Sequence, residues 1–304
     1  MVDAIARSAE GIVEEAAVER WDEDGFVVLR SFLCPNEIAP AIAELPDVFP
    51  TPDEFHDDVD PQRNARFRAE FGGIVDFPVA GGEIDLLCVH PRLIGLAASL
   101  LRTDDLRMLS AEAWAKYTGA ADYDQQAHRD YLNHTPLVPS DDLRFRQVEM
   151  FVFLSDVTEA HGPPHFVPRP VTGSPPTLPN WFGRDERPRF FDQEVSAAGA
   201  AGTVVAYEIG TFHRGTQLTA PRGARYTLHV NFRPAAAEWA VRHGWADRSH
   251  RPEWHRFVLR ASARQLELFG FPRRDHPYWT ERTLRGMAER YPGLDLSPWS
   301  PPST

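Results

Sequence analysis

Lysine is almost missing from this chain. Of 32 cationic side chains, 31 are arginine, and Lys116 alone is lysine. A coding preference for arginine accounts for the 31 but leaves open why one position kept an ammonium. Cysteine is scarce as well. Cys34 and Cys88 stand far apart, which excludes a zinc cluster of closely spaced thiols or a disulfide framework. Reduced thiols in a cytoplasmic protein are the expectation. Positive charge is in deficit, with a net charge of −12. That argues against nucleic acid and anionic membrane as partners, since both demand a basic surface. No apolar run of membrane-spanning length is evident. The opening MVDAIARSAEGIVEEAAVERW carries acids along its length and no apolar h-region, so it does not read as a signal peptide. At 304 residues the chain is long for one domain and short for two, and one enlarged domain over 1–304 is expected.

The residues that are present divide the chain into three parts. Residues 1–101 read as mainly helical: GIVEEAAVERW, PNEIAPAIAEL and PRLIGLAASLL have helical spacing, and GFVVLRSFL is a short β-rich run. Residues 46–80, rich in Pro, Asp and Gly, read as an irregular surface stretch. A β core is expected over about 106–233, from the runs LRMLSAEAWAKYT, RQVEMFVFLSDV, AGTVVAYEI and ARYTLHVNF. In the last of these Tyr226, Leu228, Val230 and Phe232 face one way, and Arg225, Thr227, His229 and Asn231 the other. Such a polar face usually meets solvent; the alternative is a barrel interior lined with polar groups around a ligand. Residues 160–194 form a proline-dense loop of the kind used as a lid or binding loop. Residues 235–304 return to helices, including one after Thr280, and the row Arg256, Arg260, Arg264 reads as a solvated helix face. The fold class is α+β with one main β core.

Two histidines and a carboxylate on one face of a metal form the facial triad of non-haem iron(II) oxygenases. Its sequence mark is H-x-D or H-x-E followed by a distant histidine. With 12 histidines and 44 acids in 304 positions, roughly two such pairs arise by chance. Two are present. His56-x-Asp58 lies in an acidic, proline-bounded stretch without strands and reads as solvated surface. His128-x-Asp130 lies between a strand with its turn and the strong strand RQVEMFVFLSDV, at the rim of a sheet where loop residues can converge. His213, at the end of a strand, is the candidate third ligand. Twelve residues later Arg225 begins the strand with the polar face. A guanidinium pointing into a barrel needs an anion, and its planar fork suits the distal carboxylate of a dicarboxylic acid.

On these residues the chain resembles the phytanoyl-CoA dioxygenase-like family of iron(II)/2-oxoglutarate oxygenases. The resemblance is carried by QAHRDYLNHT, GTFHRGT with PRGARYTLHVNF, the opening DEDGFVVLRSFLCPNEI, and SDVTEAHGPPHFVP with its Gly-Pro. It implies a double-stranded β-helix (jelly-roll, cupin-like) core. It places iron on His128, Asp130 and His213 and the 2-oxoglutarate carboxylate on Arg225, with Arg222 a lesser candidate. Lys116, on the strand before the H-x-D turn, and Thr216, three residues past His213, become candidate cosubstrate contacts. The implied reaction consumes dioxygen, releases succinate and CO2, and hydroxylates a C–H bond of a small metabolite or natural-product intermediate. Asp130 itself speaks against a halogenase, where a small residue replaces that ligand. Tyr131, Asn133 and His134 lie near the metal by chain distance, and Trp181 and Phe182 are placed to cap the pocket; each reads equally well as structural. Two other readings stay open: a catalytically silent jelly-roll binding protein, and a zinc hydrolase, because the same ligands suit zinc.

Overall fold

The computed structural model describes residues 15–300 except 70, 121–122, 131–136, 138–139, 141 and 239–243. Helix α1 (Glu15–Asp24) leads into strand β1 (Phe26–Leu29), followed by α2 (Pro35–Val48), α3 (Pro52–His56), α4 (Pro61–Arg68) and β2 (Ile74–Asp76). Helices α5 (Glu83–Cys88) and α6 (Pro91–Leu101) precede the β core. That core holds β3 (Leu106–Tyr117), β4 (Ala127–His128), β5 (Val148–Phe153), β6 (Pro164–Phe166), β7 (Trp181–Phe182), β8 (Val195–Ser196), β9 (Val204–Glu208), β10 (His213–Gly215) and β11 (Ala224–Pro234). Two antiparallel sheets result, of order β1-β9-β5-β11-β3-β2 and β7-β4-β10-β6-β8. This is the expected double-stranded β-helix. It reaches further back than residue 106, because β1 pairs with β9 and β2 with β3.

Alternation along the strands decides what lies on each side of the larger sheet. Val148, Met150 and Val152 of β5 and Leu228, Val230 and Phe232 of β11 join one hydrophobic cluster with Leu93, Leu96 and Leu100 of α6. Trp254 and Phe257, from the C-terminal helix Pro252–Arg260, belong to the same cluster. Burying such a face removes apolar area from water at about 25 cal/mol per Å². The opposite, polar face is thereby turned toward the smaller sheet.

Three regional expectations need correction. Residues 46–80 are not irregular throughout: α3 and α4 each start on a proline behind a side-chain cap, Thr51 and Asp60 respectively. Proline is pre-organised for the first helical position, where its missing N–H costs nothing. The 160–194 segment is not one loop, since it supplies β6 and β7 and two short helices, Arg169–Thr172 and Pro188–Asp192. Finally, Glu83–Leu101 is apolar and long enough to cross a membrane by composition, contrary to expectation. It is two helices, and 72% of its most apolar window is buried inside the fold. Arg256 and Arg260 are exposed on the helix Pro252–Arg260, bonded to the Ala80 carbonyl and Glu83, but Arg264 falls on the next helix, Ala263–Glu267, so the row is not one helix face.

Candidate active site

The smaller sheet builds a three-ligand cluster by strand pairing. His128 on β4 and His213 on β10 are direct cross-strand partners, so their side chains project on one face, with ring centroids 4.5 Å apart. Asp130, two residues beyond His128, brings Oδ1 to 3.8 Å from His128 Nε2 and Oδ2 to 3.3 Å from His213 Nε2. One donor atom from each of the three lies within 4.8 Å of the others. Backbone carbonyls fix both rings. Nδ1 of His128 lies 2.9 Å from the Gln126 oxygen, and Nδ1 of His213 lies 3.2 Å from the Thr211 oxygen. A carbonyl only accepts, so Nδ1 carries a hydrogen in each ring and Nε2 is the nitrogen turned toward Asp130 and available to a metal.

Electrostatics follow from these contacts. Burial and the neighbouring His213 hold the His128 imidazole below its ordinary value. Burial also opposes protonation of His213, yet the nearer Asp130 carboxylate overcomes it and raises that ring. Two imidazole Nε2 atoms and one carboxylate, compact and oriented, fit a divalent transition metal of the facial-triad type.

One participant was not expected from the sequence. Tyr207, on β9, donates its hydroxyl to Asp130 Oδ2 at 2.8 Å and lies 3.1 Å from Glu149 Oε2. Burial, then the two carboxylates, push its phenol well up, so it stays protonated and donates. Nothing in AYEIG marks this role. Register pairs Tyr207 with Glu149 across two strands far apart in sequence. Removing partners of a metal-bound carboxylate weakens metals about 10- to 100-fold. Tyr207→Phe is therefore expected to raise the manganese(II) Kd by about ten-fold with no change in helix and sheet content, read by calorimetry and circular dichroism.

A cavity of about 550 Å³ lies between the sheets, and His128, Asp130, His213, Lys116 and Arg225 all line it. The polar face of β11 points inward: Arg225, Thr227, His229 and Asn231 are in its wall. Arg225 is buried, donates to the Gly162 carbonyl, and has no carboxylate partner among the described residues. Burial lowers its guanidinium to about 10. Gly162 itself sits at φ +63°, and a Cβ there would meet the Thr216 carbonyl oxygen at 2.4 Å, so only glycine presents that acceptor. Lys116 is the register partner of Arg225 across β3 and β11.

The remaining candidates divide. Arg222 is half exposed and paired with Asp53 and Asp57, outside the cavity. Thr216 is buried, but its hydroxyl donates to the Pro163 carbonyl at 2.7 Å and it is not in the cavity wall. Trp181 lines the cavity, whereas Phe182 packs among Ala127, Val167, Phe190 and Phe212. His56 ends α3 and contacts the Gly223 carbonyl at 3.2 Å, away from the cluster. Tyr131, Asn133 and His134 lie outside the described residues.

Among solved structures the fold is similar to the epimerase SnoN in complex with Fe3+, α-ketoglutarate and nogalamycin RO (TM-score 0.54, 21% identity, 73% of this chain and 83% of that one). It is also similar to the non-haem α-ketoglutarate-dependent carbocyclase SnoK from nogalamycin biosynthesis (TM-score 0.53, 18% identity, 78% and 90%). EvdO2 from Micromonospora carbonacea var. aurantiaca is a third such structure (TM-score 0.52, 18% identity, 77% and 99%). Among curated protein sequences nothing matches. The family model of phytanoyl-CoA dioxygenase (PhyH) matches residues 21–225, more than half of the chain. The chain belongs to the phytanoyl-CoA dioxygenase family, and so to the non-haem iron(II)/2-oxoglutarate-dependent dioxygenases.

Proposed function

We propose that His128, Asp130 and His213 hold the iron, that Arg225 holds the distal carboxylate of 2-oxoglutarate, and that the enzyme hydroxylates an unactivated C–H bond of a small metabolite or natural-product intermediate. The observation that carries this reading is Arg225: a buried cation without a carboxylate partner among the described residues, in the wall of the cavity that holds the triad. Isolated buried charge is costly, and a bidentate carboxylate relieves it. When bound, iron with 2-oxoglutarate and dioxygen supplies the oxidising power, with release of succinate and CO2.

The chain's own groups do the positioning. The two Nδ1–H bonds to carbonyls keep both imidazoles aimed at Asp130. Gly215, two residues past His213, lies beside Lys116: a Cβ at that position would sit 3.7 Å from Nζ and 2.9 Å from Gln125 Oε1. The cavity floor from His213 to Lys116 and Arg225 is thus kept open for a short dicarboxylate. A compact ammonium suits this corner better than a second guanidinium. Lys116→Arg is expected to raise the KM for 2-oxoglutarate by about ten-fold with kcat less affected; unchanged kinetics would remove Lys116 from the site. The free Cys34 and Cys88 support a reducing, cytoplasmic setting.

Anaerobically purified protein given iron(II), ascorbate and 2-oxoglutarate should form succinate and take up oxygen. No turnover across a broad substrate panel, together with tight zinc binding, would overturn the proposal. Similar structures carry the names epimerase and carbocyclase. A product of unchanged mass, or two hydrogens lighter, would replace hydroxylation by one of those outcomes.

A further inference from the structure

The wall of the cavity between the sheets is buried or half-buried almost throughout. Among its described residues only Phe71 and Trp181 are exposed, at 58% and 52%. Both stand at free edges of the sandwich. Trp181 lies on β7, an edge strand of the smaller sheet, and Phe71 lies three residues before β2, an edge strand of the larger one. The mouth of the cavity therefore opens between two aromatic lips. Facing sheets pack about 10 Å apart, which admits one flat ring system between two others at centroid spacings of about 4.5–7 Å.

Both lips are held in place by local structure. Phe71 has φ +59°, a left-handed conformation that bulky side chains rarely adopt. Its turn is clamped at both following glycines. Gly72 N–H donates to the Ala69 carbonyl, and the Gly73 oxygen accepts from Ala115 N–H on β3. A Cβ at Gly72 or Gly73 would collide with the carbonyl oxygen of Arg66 or Ala115, respectively. Glycine or asparagine would relax a position of positive φ, so a phenylalanine with its ring in solvent serves neither packing nor the turn. Trp181 is the register partner of His128, and such partners share a face with Cβ atoms about 5 Å apart. The segment leading to it is pinned to the metal-ligand strand. Arg129 donates to the Pro176 and Thr177 carbonyls at 2.8 and 2.7 Å, and Asn180 Nδ2 donates to the Arg129 oxygen at 2.5 Å. Trp114, Trp254, Trp279 and Trp299 each have an acceptor for Nε1. Among the described residues Trp181 has none, and neither Trp181 nor Phe71 stacks on another ring.

We infer that Phe71 and Trp181 grip a planar aromatic ring of the substrate between them, so that the enzyme selects aromatic small molecules over saturated or open-chain ones. This rests on the proposed iron and 2-oxoglutarate reading only in taking the ring bound beside His128 to be the substrate. The cavity, at about 550 Å³, is of a size that takes a multi-ring molecule. Each stacked ring pair adds about two- to ten-fold in affinity beyond area burial. Burial alone ranks ligands the other way, since a saturated skeleton carries more apolar surface.

The test uses three neutral alcohols with the same carbon count: 2-naphthol, decahydro-2-naphthol and 1-decanol. Each is titrated calorimetrically into the full chain loaded with manganese(II) and 2-oxoglutarate. 2-Naphthol is expected to bind about ten-fold tighter than either saturated probe. Trp181→Leu and Phe71→Leu, which keep an apolar side chain, should each cut that preference to about three-fold, and the double variant should abolish it. Affinities for manganese(II), 2-oxoglutarate and the saturated probes should stay as in the wild type, with circular dichroism unchanged. Equal or tighter binding of a saturated probe overturns the inference. So does a preference that survives the double variant, or no binding of any probe. The same probes titrated into the metal-free chain separate the two readings: failure of manganese(II) or 2-oxoglutarate to bind speaks against the iron assignment, while the ring preference is read without either.

Discussion

Asp130→Ala is expected to lose more than about a hundred-fold in iron(II) or manganese(II) affinity and to reduce succinate formation to background. The size follows from position. Groups that only orient a ligand cost about 10- to 100-fold when removed, and Asp130 is the one carboxylate in the cluster, near both Nε2 atoms. Its loss would remove the cluster's anionic donor and leave the Tyr207 hydroxyl with Glu149 as its acceptor. Two imidazoles alone would remain, a weak site for a hard divalent cation. The fold should survive, because β4 and β10 are tied by backbone pairing at His128 and His213 and not through the carboxylate. Metal content after dialysis and calorimetric titration measure the first effect, and circular dichroism checks the second. Retained metal and retained turnover would remove Asp130 from the ligand set.

How much of this could be read from sequence depends on the range of the contact involved. The strands β3, β5, β9 and β11 were legible because alternation is local, and the apolar faces they assign are the faces buried against the helices. Which environment the polar face meets was not legible. Arg225, Thr227, His229 and Asn231 would look the same on a solvent-facing strand, and only the second sheet makes them an interior wall. The prediction for Thr216 placed it by distance from His213 along the chain. The two-residue period of β10 puts His213 and Gly215 on the cavity side and leaves Thr216 bonded to Pro163 instead. Helices α3 and α4 have 5 and 8 residues, too short to show a 3.6-residue period. The capping box of Thr51 and Glu54 was the signal available there. Tyr207 and Glu149 were out of reach because strand pairing brings them together and only the facing of the two sheets brings Tyr207 to Asp130.

Arg225→Met should have opposite effects on the ligand-free and ligand-bound protein. In the ligand-free state the guanidinium is fully buried, and burial alone lowers its pKa to about 10. A base whose folded pKa is lowered destabilises the fold wherever it is charged. The penalty is complete at neutral pH and fades only as pH rises through about 10. Its size corresponds to about 3 kcal/mol, offset in part by about 1 kcal/mol from the bond to the Gly162 carbonyl. Methionine fills similar volume without charge, so ligand-free Tm should rise by about 2 °C or more. With 2-oxoglutarate the order reverses. Removing one member of a buried, hydrogen-bonded charge pair costs at least about 2 kcal/mol, a rise of about thirty-fold in Kd. Wild type at a ligand concentration of about a hundred times Kd gains about 2.7 kcal/mol, and the variant should gain far less. Differential scanning calorimetry with and without 2-oxoglutarate reads both signs in one experiment. A lower ligand-free Tm with an undiminished 2-oxoglutarate shift would show that Arg225 braces the fold through Gly162 and that another residue holds the cosubstrate.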